Sequence, residues 1–178
     1  TADVETVTLA SGSVGSTAML STDSNVITTL TVGSSATALN ISGGSNLTIT
    51  NAVSGSKLTT IDGSSATGDL SLTAAAVKYA ALKTGSGNDT IAMGTSLTAD
   101  DSIDAGGNTG STGVDTVTAT INALGTSTAS AVLDIDNVEV LTLQPVTAAS
   151  YLDLSGSASL GTVNVGNANA TAMATLAL

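Results

Sequence analysis

Short apolar pulses recur along this chain. They are VETVTL at 4–9, VITTLTV at 26–32, ALNI at 38–41, LTIT at 47–50, LTTI at 58–61, DLSL at 69–72, DTIAM at 89–93, DTVTATI at 115–121, VLDI at 132–135, VEVLTL at 138–143, YLDL at 151–154 and GTVNV at 161–165. In most of them an aliphatic residue alternates with Thr, Ser, Asp or Asn, the period of two that gives a strand one buried and one wet face. Clusters of Gly, Ser, Asn and Asp separate the pulses at roughly 9–14 residues, which fits units of strand plus turn. An internal repeat has the same form: GSSAT occurs at Gly33–Thr37 and again at Gly63–Thr67, each time after a Thr-rich strand.

Two all-β architectures accept such units, a β-sandwich and a parallel solenoid. Sandwich cores carry larger side chains and hairpin turns of the Asn-Gly kind, yet Asp62-Gly63 is the only Asp-Gly pair and Asn-Gly is absent. Small alternating residues and Gly turns favour a right-handed parallel β-helix, in which each coil buries its face against its neighbours. The sandwich is the alternative. At about 20 residues per coil the rod would be roughly 40 Å long, one elongated segment over 1–178 with a turn region of special chemistry at about 84–117. The stretch Leu72–Leu82 departs from the pattern, being rich in helix formers. It reads either as one helical turn decorating the rod or as a strand at Tyr79–Leu82 that runs into the Gly85 turn.

Composition narrows the core and the partners. Aromatic residues are 1% of the 178, so Val, Ile, Leu and Ala must build the interior, which suits a narrow stacked coil better than a wide globule. Fourteen acids against Lys57, Lys78 and Lys83 leave a formal net charge of −11, with no Arg or His. Nucleic-acid binding, which needs cations and usually stacking rings, is set aside. Without Cys there are no disulfides, thiolate chemistry or Cys/His zinc sites. No apolar run approaches the ~20 residues of a membrane helix, so membrane insertion is not expected. The chain begins with Thr, lacks a basic leader and stops in the strand-like MATLAL, so it reads as a piece of something longer.

Two turns join this pattern to chemistry. Gly85-Ser86-Gly87-Asn88-Asp89-Thr90-Ile91 and Gly110-Ser111-Thr112-Gly113-Val114-Asp115-Thr116-Val117 each pass from a Gly-rich turn through an Asp straight into a strand. Glycine lets the backbone curl so that carbonyl oxygens face inward, and the Asp adds a charged oxygen; oxygen-only anionic pockets suit a hard cation such as Ca²⁺. The first copy approximates the nonapeptide Gly-Gly-x-Gly-x-Asp-x-apolar-x of calcium-binding parallel β-helices, with Thr84 in place of the first Gly. Asp89, Asp104 and Asp115 are the candidate Ca²⁺ ligands, with Asn88 in the first turn. The carbonyls of Gly85, Gly87, Ala105, Gly107 and Gly113 are expected to complete the shells, and Asp101 either reaches the same sites or is simply solvated. The competing reading is turn capping, in which Asp bonds the backbone two residues on; Asp62 and Asp153 fit it best. Asp134 and Asp136 alternate with Leu133 and Ile135 and read as the wet face of a strand. Eight of the fourteen acids fall between Asp89 and Glu139, with Lys83 the only cation near them in sequence. Clustered like charge calls for neutralisation, and a disulfide-free secreted domain calls for another staple. Calcium answers both.

With these residues in view the chain resembles the calcium-dependent, RTX-type crystalline surface-layer (S-layer) proteins of Gram-negative bacteria, of the Caulobacter kind. The likeness is carried by TTLTVGSSATALNISGGSNLTIT, TTIDGSSATGDLSLTA, TGSGNDTIAMG, DSIDAGG followed by GVDTV, and the pulses VETVTL and NVEVLTL. It covers the chain in style and residues 84–117 as a motif. The resemblance implies export by type I secretion, folding by Ca²⁺ outside the cell, an extracellular place on the bacterial surface, self-association into a two-dimensional lattice, and attachment to the cell through parts not present here. A tandem Gly-Gly-x-Gly-x-Asp block is missing, so the chain looks like lattice body rather than secretion signal.

A structural S-layer segment is therefore the leading expectation. A repeat segment of an RTX-type adhesin, holding a host or surface ligand, is the alternative. Ice binding enters through the Thr-x-Thr pairs Thr6/Thr8, Thr48/Thr50 and Thr116/Thr118, weakened by their irregular spacing along the chain. An enzyme is not expected: sugar-cleaving β-helices commonly set Arg or Lys beside their carboxylates and use aromatic platforms, whereas Arg, His and Trp are absent here.

Overall fold

The computed structural model describes residues 4–12, 24–74, 79–108, 113–121, 124–126, 128–145, 150–166 and 173–178. Alternating aliphatic residues take the strand state, and the strands stack in parallel as a β-solenoid, with no helix among the described residues. Three sheets form the walls. The first runs in the order β1 (Thr6–Ala10), β3 (Ala38–Gly43), β5 (Thr60–Ala66), β7 (Ala81–Lys83), β9 (Ser102–Asp104) and β12 (Asp134–Asp136). The second stacks β2 (Ser24–Ile27), β4 (Asn46–Ile49), β6 (Leu70–Thr73), β8 (Thr90–Gly94), β10 (Thr116–Ile121), β13 (Val140–Pro145) and β15 (Thr162–Val165). The third holds β11 (Ala131–Val132), β14 (Ser150–Asp153) and β16 (Met173–Ala177). Only Leu133 separates β11 from β12, so the third sheet takes up the stack where the first ends.

Register converts the sequence alternation into aliphatic columns. In the first sheet Val7, Leu39, Ile61, Leu82, Ile103 and Ile135 lie in line. In the second, Ile27, Ile49, Leu72, Ile91, Val117, Leu141 and Val163 do the same. The middle members of both columns are buried, each burial being worth about 1.5–3 kcal/mol. This explains a core without Phe or Trp, because a side chain that stacks on its own kind every ~4.8 Å fills a narrow interior without aromatic bulk.

Coil length is uneven. Thr60 lies 22 positions after Ala38 and 21 before Ala81, whereas Asp134 lies 32 after Ser102. Seven strands stacked at ~4.8 Å span about 30 Å, shorter than a uniform coil of 20 residues would give. The ambiguous segment resolves in part: Ala81–Lys83 is strand β7, starting two positions and ending one position later than the expected Tyr79–Leu82, while 75–78 lie outside the described residues. Tyr79 is buried in front of it. Among the described residues no helix is long and apolar enough to cross a membrane.

Candidate functional site

The inward-facing row that opens the second sheet changes character along the rod. Asn25 heads it on β2 and Leu47 and Leu70 occupy it in the next two coils; Asp89, Asp115 and Glu139, each directly before β8, β10 or β13, continue it. Three acids thus stack along the solenoid axis, with Asp89 and Asp115 fully buried and Glu139 partly so.

Each acid reaches back one coil to the backbone. Asp89 Oδ1 accepts Leu70 N–H at 2.7 Å, Asp115 Oδ1 accepts Asp89 N–H at 2.7 Å, and Glu139 Oε2 accepts Asp115 N–H at 2.7 Å. A second row, one residue earlier, runs the opposite way. Asn46 Oδ1 accepts Asp69 N–H at 2.8 Å, Asp69 Oδ1 accepts Asn88 N–H at 2.8 Å, and Asn88 Oδ1 accepts Val114 N–H at 3.1 Å. Two antiparallel ladders of side chain to backbone therefore stitch the coils together where the strands begin, supplying acceptors to N–H groups that the sheet does not reach. A polar cleft of about 280 Å³ beside them is lined by Asn46, Gly68, Asp69, Gly87 and Asn88 among others.

The stack is electrostatically unbalanced at Asp115. Burial pushes its carboxyl up to about 7, opposed by the Asp89 N–H and by the Asn108 side chain and reinforced by the charges of Asp89 and Glu139. Asp89 is raised as well: burial outweighs the donors Leu70 and Gly85, the latter giving its N–H to Oδ2 at 3.1 Å. Asn108 donates Nδ2 to Glu139 Oε2 at 3.1 Å. Among the described residues, its Oδ1 and Asp115 Oδ2 are both buried without a hydrogen-bond partner. A buried acceptor without a donor costs about 1–3 kcal/mol, and more when charged.

The ten residues read from the sequence as calcium site fall into separate settings. Asp89, Asp115, Gly85, Gly87, Asn88 and Gly113 border the two ladders; Gly113 packs directly against the Asn108 side chain. Gly107 approaches from the next turn, its N–H bonding the Gly85 carbonyl at 3.1 Å. The Ala105 carbonyl accepts the Thr84 hydroxyl at 2.8 Å. Asp104 stands apart on the outward face of the first sheet, where its Oδ1 accepts from Gly106 and Asn137 and its Oδ2 meets Lys83 Nζ at 3.5 Å. Burial there is outweighed by the Asn137 amide, the Gly106 N–H and Lys83, which hold its carboxyl low. Asp101 is buried against Tyr79 and Thr98, accepting both backbone N–H groups and the Thr98 hydroxyl. Asp62 and Asp153 cap their own turns through Ser64 and Ser155, whose hydroxyls and N–H groups lower both carboxyls.

Tested as ligands for a hard cation, these settings differ. Both Asp89 oxygens already hold N–H donors, and Asp104 faces an ammonium. Asp115 Oδ2 and Asn108 Oδ1, with Glu139 beside them, are oxygens in want of a positive partner, which is the chemistry Ca²⁺ takes. Among the described residues no three His, Cys, Asp or Glu side chains gather around one point, because the stack spaces its acids along the axis by one coil each. Asn108 and Glu139 had no assigned role in the sequence. A signal for Glu139 was present: an acid directly before an alternating run also marks Asp69, Asp89 and Asp115.

No protein-family model, curated protein or solved structure matches this chain. The residues alone define what it is: a parallel β-solenoid with a buried carboxylate stack on one wall.

Proposed function

We propose that the chain is a structural segment of a secreted, calcium-stabilised bacterial S-layer protein that assembles into a lattice on the cell surface. The observation that carries this reading is the pair of orphaned oxygens, Asp115 Oδ2 and Asn108 Oδ1, inside a stack of three acids. Asp115, Asn108 and Glu139 would hold Ca²⁺, and the ion would supply the positive charge that neutralises the stack. The protein's part is to fix the three side chains: the Asp89 N–H orients Asp115, and the Asp115 N–H and Asn108 amide orient Glu139.

The consequence is a fold sensitive to its surroundings. With Ca²⁺ scarce, repulsion among Asp89, Asp115 and Glu139 loosens the coils. In an external medium, sites with Kd on the order of 10⁻⁴–10⁻³ M fill, and tenfold excess over Kd adds about 1.4 kcal/mol. A rod built from repeated small side chains, with neither Phe nor Trp, suits a building block of a lattice on the bacterial surface. Calorimetry at graded Ca²⁺, followed by electron microscopy of the protein on lipid monolayers, tests both halves. A melting temperature unmoved by EDTA would sink the calcium half. Particles that stay single at saturating Ca²⁺, while retaining a surface ligand, would replace the lattice with an adhesin.

A further inference from the structure

The outward face of the second sheet has no part in the carboxylate stack. Register there aligns Val26, Thr48, Ser71, Thr90, Thr116, Val140 and Thr162 in one column. Two residues further along the strands, Thr73, Ala92, Thr118, Thr142 and Asn164 form the next. The pairs Thr48/Thr50 and Thr116/Thr118, unevenly spaced in sequence, thus meet on one wall because turn length absorbs the difference. Thr6/Thr8 lies on β1, in the other sheet.

Three properties of this wall point to one kind of ligand. It is a grid, with about 4.8 Å between coils and about 6.6 Å between columns. A buried column of Ile49, Leu72, Ile91, Val117 and Leu141 holds it from behind, and the register shift between β8 and β10 falls only after Thr118. Neither column carries a charge in a chain of net −11, whereas the first sheet shows Asp62, Lys83, Asp104, Asp134 and Asp136 outward. Both columns also lack Trp, Tyr, Arg and Met, the side chains that anchor protein partners. Regular spacing gives a protein interface nothing, since its energy sits in a few deep anchors. It gives much to a partner that is itself periodic. Threonine offers a methyl group and a hydroxyl at seven of these nodes (Thr48, Thr73, Thr90, Thr116, Thr118, Thr142 and Thr162), and charged groups, whose hydration resists ordering, are kept off.

We propose that this Thr face binds ice, the water lattice whose row spacings are of the same size as the grid. The experiment uses the 178-residue chain with Ca²⁺ present, measuring the gap between melting and freezing of a seeded ice crystal and the coating of ice by dye-labelled protein. The expected result is a freezing gap and coated crystals, both lost in Thr118→Lys and Thr142→Lys and kept in Asn40→Lys on the opposite sheet. Circular dichroism confirms that each variant remains folded; Thr118→Val, which keeps the methyl group, covers the case of a lysine variant that misfolds and should retain most of the gap. No gap in the parent chain overturns the proposal, as does a gap equal in all variants. So does a face that only joins two copies, seen as a dimer that Thr118→Lys dissociates without any ice effect. The calcium reading stands or falls separately, since EDTA sensitivity is read on the melt and not on ice.

Discussion

Asp115 Oδ1 accepts the backbone N–H of Asp89 at 2.7 Å across one coil, while Asp115 Oδ2, equally buried, has no hydrogen-bond partner of good geometry among the described residues, with the Asn108 side chain beside it. One carboxylate is thus half structural and half unsatisfied. Its satisfied oxygen holds the coil spacing; its other oxygen makes the spacing sensitive to whatever positive charge is available, proton or metal.

The proton gives the first prediction. Asp115 is raised to about 7 and Asp89 is raised too, so between the ordinary carboxylate value near 3.8 and pH 7 the folded chain binds more protons than the unfolded chain. Stability then falls as pH rises through this window. The lowered carboxyls of Asp62, Asp104 and Asp153 act the other way, but their contribution is complete above their unfolded value and does not oppose the trend. In EDTA the melting temperature should be higher at pH 5 than at pH 8, by an amount on the order of a few kcal/mol in stability. A flat or rising profile over that range would show that the stack is not strained.

Replacing the charge should separate proton from metal. Asp115→Asn keeps an acceptor for the Asp89 N–H and offers an amide N–H to Asn108 Oδ1. In EDTA at pH 8 this variant should be more stable than the parent by about 1–2 kcal/mol, with most of the pH dependence gone. It should also lose the Ca²⁺-induced rise in melting temperature. Retention of that rise would place the cation elsewhere.

How much of this was legible from residues alone follows from what each feature needs. Strands needed only alternation, and pulses such as Leu47–Thr50, Asp115–Ile121 and Gly161–Val165 match β4, β10 and β15 to within one residue at each end. The short β9, Ser102–Asp104, was missed because its acids drew it into a turn reading. Register was out of reach, since Leu70 to Asp89 is 19 positions, Asp89 to Asp115 is 26 and Asp115 to Glu139 is 24. No fixed period links them. For the same reason Asp104 read as a candidate Ca²⁺ ligand alongside Asp89 and Asp115, though the fold sends it to another wall, against Lys83. Asp101 could not be distinguished from a solvated acid until Tyr79 was folded over it.

Asp89 differs from Asp115 in having both oxygens engaged, by Leu70 and Gly85. Asp89→Ala would leave two buried N–H groups without acceptors, costing on the order of 3 kcal/mol. Its urea midpoint should drop sharply, and the loss should persist at saturating Ca²⁺. Recovery of the midpoint on adding Ca²⁺ to the parent value would mean that Asp89 serves the metal more than the backbone.

The adjacent glycines Gly106 and Gly107 give the sharpest test of how tightly the turns stack. Gly106 has φ +78°, and a Cβ there would run into the Gly85 carbonyl, the same oxygen that accepts the Gly107 N–H. Gly107 is exposed, and a Cβ added to it meets nothing within 4 Å. Gly106→Ala therefore combines left-handed backbone strain with a clash against main chain, together roughly 2–5 kcal/mol. Gly107→Ala should fall within about 0.5 kcal/mol of the parent. Urea melts of the two variants, side by side, read the difference directly. Equal midpoints would mean that the 84–87 and 104–107 turns do not lie one upon the other, and the carboxylate stack that begins at Asp89 would lose the coil spacing on which it depends.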